Sequence, residues 1–219
     1  KIVDKSKPST HDPEPPTKQG LQLSSPAILS LGFLALIVIG TVLLSLPIAT
    51  IQPISILAAA FTATSAVTVT GLNVVDTANY TTFGQLVIAA LIQFGGLGFM
   101  TFAILVLTSL QGKMGLSGSI TAQEALGTHS NQIGSTAKAV IKIAFITEGL
   151  GFLGLTLLLA PLKGLKDAMY EAFFLCISAF NNAGFALNGN NMTAYVHQPM
   201  ISFIISLLII TGGIGFLVI

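Results

Sequence analysis

The chain of 219 residues has no arginine and no tryptophan, a single cysteine, and only 8% charged residues. Soluble globular chains carry about a quarter charged residues, so a sequence this poor in charge, with 53% hydrophobic residues, reads as an all-α membrane protein. The missing arginines and a net charge of +1 exclude a basic face for nucleic acid. One cysteine, Cys176, excludes an intramolecular disulfide and a thiolate metal cluster, and fits a small apolar core residue.

What charge there is gathers at the start. Lys1, Asp4, Lys5, Lys7, Asp12, Glu14 and Lys18 alternate with Pro8, Pro13, Pro15 and Pro16, which predicts a flexible tail over 1–24. The tail has no apolar centre and is not a signal peptide. Four apolar runs, 26–46, 83–110, 139–160 and 200–219, have the length of membrane-crossing helices. Two others, 54–67 and 168–180, are too short to cross and each leads into a polar, glycine-containing segment. Such segments enter a membrane partway and turn back, which is tolerated only where the backbone lines water or protein. The connection around 111–138 carries Lys113 and Lys138 against Glu124, with Lys142 just beyond. The segments with Asp76, and with Lys163, Lys166, Asp167 and Glu171, show no positive excess. The positive-inside rule puts the tail and that connection in the cytoplasm, so both short runs dip in from outside.

The halves overlay. Phe61, Ser65, Ala66 and Gly71 recur 113 residues later as Phe174, Ser178, Ala179 and Gly184, and Pro47 pairs with Pro161. Gly95-Gly96-Leu97-Gly98-Phe99 recurs as Gly212-Gly213-Ile214-Gly215-Phe216. Two tandem repeats follow, at 25–112 and 139–219, joined by a cytoplasmic connection at 113–138. Each repeat is a span, a short pore helix, a glycine turn and a second span: four transmembrane helices and two re-entrant helices in all. Same order and same orientation imply a rotation about the membrane normal.

The turns, Thr68-Val69-Thr70-Gly71-Leu72 and Asn181-Asn182-Ala183-Gly184-Phe185, are candidate ion ligands through their carbonyls. A dehydrated cation needs a ring of oxygens, glycine permits the required dihedrals, and a helix C-terminus aimed at the pathway favours positive charge. At FTATSAVTVTGLNVVDT (61–77), IQFGGLGFMTF (92–102), SAFNNAGFAL (178–187) and ITGGIGF (210–216) the sequence resembles the Trk/Ktr/HKT potassium transporter superfamily. It is most similar to the membrane (KtrB-type) subunit of bacterial Ktr uptake systems. The resemblance implies potassium uptake across a bacterial cell membrane, with sodium as a coupling or activating ion in some members. It also implies four such repeats around one pore, of which this chain carries the first two, and a homodimer of pores. The resemblance further implies gating by a cytosolic nucleotide-binding ring, and no cofactor is expected on the chain itself. Ile219 closes an apolar run with no polar cap, which points to a fragment, so a non-conducting assembly half is an alternative.

Other features carry less. Gly95-Gly96-Leu97-Gly98 suggests a dinucleotide fingerprint, but it lies inside a span, and Gly95, Gly96, Gly98, Gly212, Gly213 and Gly215 fit better as small residues that serve helix packing. Gly115-Leu116-Ser117-Gly118 resembles the serine motif of rhomboid intramembrane proteases, with His129 or His197 as base. Ser117 falls in a loop beside Lys113 and His197 on the opposite side, so turn chemistry explains it better. Asn79-Tyr80-Thr81 and Asn191-Met192-Thr193 match glycosylation acceptors, without meaning in a bacterium. Glu148 is the one acid deep within a span and is expected to face protein rather than lipid.

Overall fold

A computed structural model describes residues 25–114 and 122–214. The expected tail at 1–24, the motif around Ser117, and Gly215, Phe216 and Ile219 lie outside the described residues. Among the described residues six helices follow in order: α1 (Ser25–Leu44), α2 (Ile56–Val67), α3 (Thr82–Met114), α4 (Ala122–Lys163), α5 (Leu165–Phe180) and α6 (Pro199–Ile214). Short 3-10 segments, Thr77–Asn79 and Asn191–Tyr195, precede α3 and α6. Among the described residues there is no strand, only an isolated bridge between Thr50 and Tyr80.

Local chemistry sets the helix ends. α2 starts at Ser55, whose backbone is extended and whose Oγ accepts the Ala58 N–H at 3.2 Å. α5 starts after Gly164, which at φ +84 reverses the chain directly out of α4. Helix also fills most of the stretch expected as a connection over 113–138: α3 runs to Met114 and α4 is already helical from Ala122. Ala122-Gln123-Glu124-Ala125-Leu126 is made of strong helix formers, and its polarity hid a propensity that continues into the apolar run.

One stretch of the described residues, Ile141–Lys163 in α4, is long and apolar enough to cross a membrane. The other apolar stretches, Leu29–Leu44, Thr82–Gly98 and Pro199–Ile214, are shorter, although α3 itself continues to Met114. Their outer faces are apolar and bare: Leu150, Leu153 and Leu157 on α4 and Phe203 on α6 are all exposed. Surface of this kind belongs in hydrocarbon rather than water.

Two cores hold the helices. One joins Leu44, Ala59, Ala63, Val67, Ile88 and Ile92 of the first half, and it takes in Phe174, Ile177, Ala183 and Phe185 of the second. The other is built from α4, α5 and α6 around Leu155, Leu159, Phe180, Ile201 and Leu208. Thus α5 belongs to both. Its Phe174 is 1% exposed, whereas the matching Phe61 on α2 is 42% exposed.

Buried charge pins the chain after α5. Glu171, on α5, accepts from Lys163 Nζ at 2.5 Å, from Asn188 Nδ2 at 2.9 Å, and from the Tyr195 hydroxyl. Lys163 also lies over the Tyr195 ring, 5.3 Å from its centre. Burial and the Glu171 hydrogen bond raise the Tyr195 phenol above its ordinary pKa, so it stays a donor. Three donors, one from α4 and two from the segment after α5, therefore share one carboxylate on α5. Glu171→Ala should cost on the order of 2–3 kcal/mol by thermal unfolding in detergent, less than a fully buried pair because Lys163 remains about one-third exposed. Asp167→Ala, at an exposed position on the same helix, should shift the midpoint little.

Candidate functional site

Both short helices end in the same way. After α2, Thr68 closes the helix, Val69 takes φ +57 and Gly71 φ +77; after α5, Asn181 closes it, Asn182 takes φ +58 and Gly184 φ +75. The hydrogen bonds match as well. Val69 N donates to Ala66 O (3.3 Å) and Thr70 N to Ser65 O (3.0 Å); Asn182 N donates to Ala179 O (3.0 Å) and Ala183 N to Ser178 O (2.7 Å). This double bonding around a left-handed residue is the Schellman termination. Asparagine tolerates that conformation, whereas a β-branched valine is strained in it, and strain of this kind is held only by well-packed surroundings.

The two turns, 113 residues apart in sequence, meet in space. A Cβ placed on Gly71 would sit 2.6 Å from the Ala183 carbonyl oxygen, and one on Gly184 would sit 3.6 Å from the Gly71 Cα. Among the described residues no hydrogen bond ends on the carbonyls of Thr68, Val69, Thr70, Gly71 or Leu72. In the second turn the Gly184 carbonyl accepts from Asn191 Nδ2 (3.3 Å) and the Phe185 carbonyl from Ser178 Oγ (2.6 Å). That leaves the carbonyls of Asn181, Asn182 and Ala183 for a ligand. Neither helix has a basic residue in its last turn to oppose a cation there.

Side-chain support differs between the turns. Thr68 Oγ1 bonds back to Thr64 O (2.7 Å), and Thr70 Oγ1 donates to Ser65 Oγ (3.0 Å), so the first turn is held locally. The Asn182 amide, oriented to satisfy both its ends, donates to Ile209 O and accepts from Gly213 N on α6, at 3.3 Å each. Asn181 Nδ2 donates to Ile177 O (2.9 Å) and to Gln93 Oε1 (2.9 Å) on α3. Gln93 Nε2 in turn donates to both carboxylate oxygens of Glu148, at 3.0 and 3.1 Å. Glu148 is buried at 7% exposure and borders a cavity of about 450 Å³ with Phe94, Phe145, Phe173 and Cys176. Gln93 was missed in the sequence, although a glutamine just before a glycine pair inside an apolar run was a signal.

The glycine pairs explain how the turns are seated. A Cβ on Gly95 would overlap the Val67 carbonyl, and one on Gly212 would overlap the Phe180 carbonyl, the last carbonyls of α2 and α5 respectively. Gly96 faces the Asn181 side chain and Gly213 the Asn182 side chain. Gly98 has only ordinary contact with Phe33, at 3.7 Å.

Comparison with known proteins agrees with this reading of the chain's kind. The model of the TrkH family, described as cation transport proteins, matches residues 21–219. The Ktr system potassium uptake protein B of Bacillus subtilis (strain 168) is 46% identical over 201 residues, 90% of this chain and 45% of that protein. Its namesake from Vibrio alginolyticus is 40% identical over 196 residues, 89% of this chain and 43% of that protein. The potassium/sodium uptake protein NtpJ of Enterococcus hirae is 36% identical over 203 residues, 90% of this chain and 45% of that protein. The chain thus spans a little under half the length of the relatives it matches. All three are uptake proteins rather than enzymes, and the protease reading of Ser117 falls.

The seating contacts yield a stability series. Gly95→Ala and Gly212→Ala each force a methyl group into a backbone carbonyl and should cost about 1–3 kcal/mol, read as a lower unfolding midpoint in detergent. Gly98→Ala should be near neutral, because its Cβ meets nothing closer than 3.7 Å. Equal effects at all three positions would count against a seating role.

Proposed function

The chain belongs to the TrkH family of cation transport proteins, and on that premise we propose that it forms part of a potassium uptake pathway lined by its two glycine turns. The observation that carries the reading is the contact between Gly71 and Ala183–Gly184, which brings two turns of equal dihedrals to one place. Carbonyl oxygens of Thr68–Leu72 and of Asn181–Ala183 replace part of the ion's hydration shell there. The C-terminal ends of α2 and α5 add a favourable field for a cation.

In a bilayer, α1, α3, α4 and α6 act as the four spans, and α2 and α5 enter partway, leaving irregular backbone only where it lines water. The two units are related by rotation about the membrane normal. The bare Phe61 face of α2 then awaits the same cover that the first unit gives Phe174, supplied by the further two repeats of the complete pore. The N-terminus and the α3–α4 connection face the cytoplasm, where a nucleotide-binding ring regulates the pore, and two pores pair as a homodimer. Sodium serves as coupling or activating ion, in keeping with the name of the potassium/sodium uptake relative.

Glycine substitutions test the reading in the complete gene product. Gly71→Ser meets both a positive φ and the Ala183 carbonyl, whereas Gly184→Ser meets the dihedral alone. Strain of about 1–3 kcal/mol per site shifts the carbonyls, and each 1.4 kcal/mol of lost discrimination is about tenfold in the ion ratio. The expected order of potassium-over-sodium uptake is wild type above Gly184→Ser above Gly71→Ser, at normal membrane abundance. Leu157→Val, on the bare face of α4, is the control. Unchanged ratios in both glycine variants would refute the filter assignment.

A further inference from the structure

Resting on the reading of the turns as an ion filter, we infer that Glu148 is a positioning residue for the second turn, acting through Gln93 and Asn181. The carboxylate lies in the long apolar stretch of α4, and only two hydrogen bonds separate it from the residue that ends α5 and opens the turn. These bonds run between three helices: Glu148 on α4, Gln93 on α3, and Asn181 at the end of α5.

The direction of the chain follows from chemistry. Both carboxylate oxygens of Glu148 accept from Gln93 Nε2, so Gln93 turns its NH₂ toward the acid. Its Oε1 is thereby aimed at Asn181, which must answer with its own NH₂. Asn181 Oδ1 is left against Gly96 with no partner among the described residues, an orientation that Asn181 holds because its NH₂ is engaged twice. Fixing this amide fixes the first residue of the turn, whose carbonyl is one of three left for a ligand. Remove the acid, and Gln93 loses what sets its polarity; its amide and that of Asn181 can both reverse.

Among the described residues the first unit shows no such device. By the Pro47–Pro161 spacing the position of Glu148 corresponds to Leu34, which is exposed, and by the Gly71–Gly184 spacing that of Asn181 corresponds to Thr68, held by Thr64 of its own helix. Discrimination by the second turn therefore depends on a group in α4 as well as on the turn itself.

The test uses the complete gene product, measured as the sodium-to-potassium uptake ratio at matched membrane abundance, with Gly71→Ser and Gly184→Ser in the same assay. Glu148→Gln keeps an acceptor toward Gln93 and should stay within about twofold of wild type. Glu148→Leu removes it and should raise the ratio by about three- to tenfold. Gln93→Glu opposes two carboxylates and should raise it similarly, while the swap of Glu148→Gln with Gln93→Glu rebuilds an acceptor between two amides and should restore it. If Glu148→Leu fails to accumulate, the Gln93→Glu single and swapped variants decide alone. Ratios unmoved in Glu148→Leu and Gln93→Glu, while the glycine variants move, would overturn the positioning role and leave the filter intact. A swap that fails to rescue would also overturn it. Ratios unmoved in every variant, the glycines included, would remove the filter reading and this inference with it.

Discussion

The last carbonyl of each short helix presses on a glycine of the helix that follows its turn, Val67 on Gly95 and Phe180 on Gly212. Everything else at the site depends on that approach. A side chain at either glycine would hold the short helix off by the width of a methyl group, and the two turns could not converge. The same approach lets the neighbouring glycines, Gly96 and Gly213, admit the Asn181 and Asn182 side chains that tie the second turn to α3 and α6. The glycine pairs are therefore seats for the turns, a more specific duty than general helix packing.

Within that frame the two units are alike in backbone and unlike in support. Their terminations share dihedrals within a few degrees and the same pairs of hydrogen bonds. Yet the first turn relies on threonine hydroxyls of its own segment, and the second on amides that reach α3, α6 and the loop at Asn191. Burial follows the same split: Phe185 and Ala183 are enclosed, whereas their counterparts Leu72 and Thr70 are open. The second unit is also closed over by the Glu171 network, and the matching position on α2 is Ala58. The second unit is thus enclosed where the first is open.

Much of this was legible in the sequence because glycine leaves few alternatives. The duplicated glycine turns and the duplicated glycine pairs predict paired elements at matched places, and the equal dihedrals at Gly71 and Gly184 are the physical reason for that duplication. The partners were not legible. Gln93 and Glu148 lie 55 residues apart, and nothing in either local pattern says that they touch. Val69 in a left-handed conformation runs against its own preference, since tertiary packing overrides it. The stretch after Ala122 read as a loop from its polarity, although its residues favour helix. Periodicity reports local elements well, but long-range hydrogen bonds leave no mark on it.

The central claim is that carbonyls of both turns share one cation. Thallium mimics potassium and scatters anomalously, so crystals of the complete protein grown with it would locate the ion directly. An anomalous peak bounded by carbonyls of Thr68–Leu72 on one side and of Asn181–Ala183 on the other is the expected result. A peak that lies instead beside the Glu148 carboxylate, with none between the turns, would contradict it.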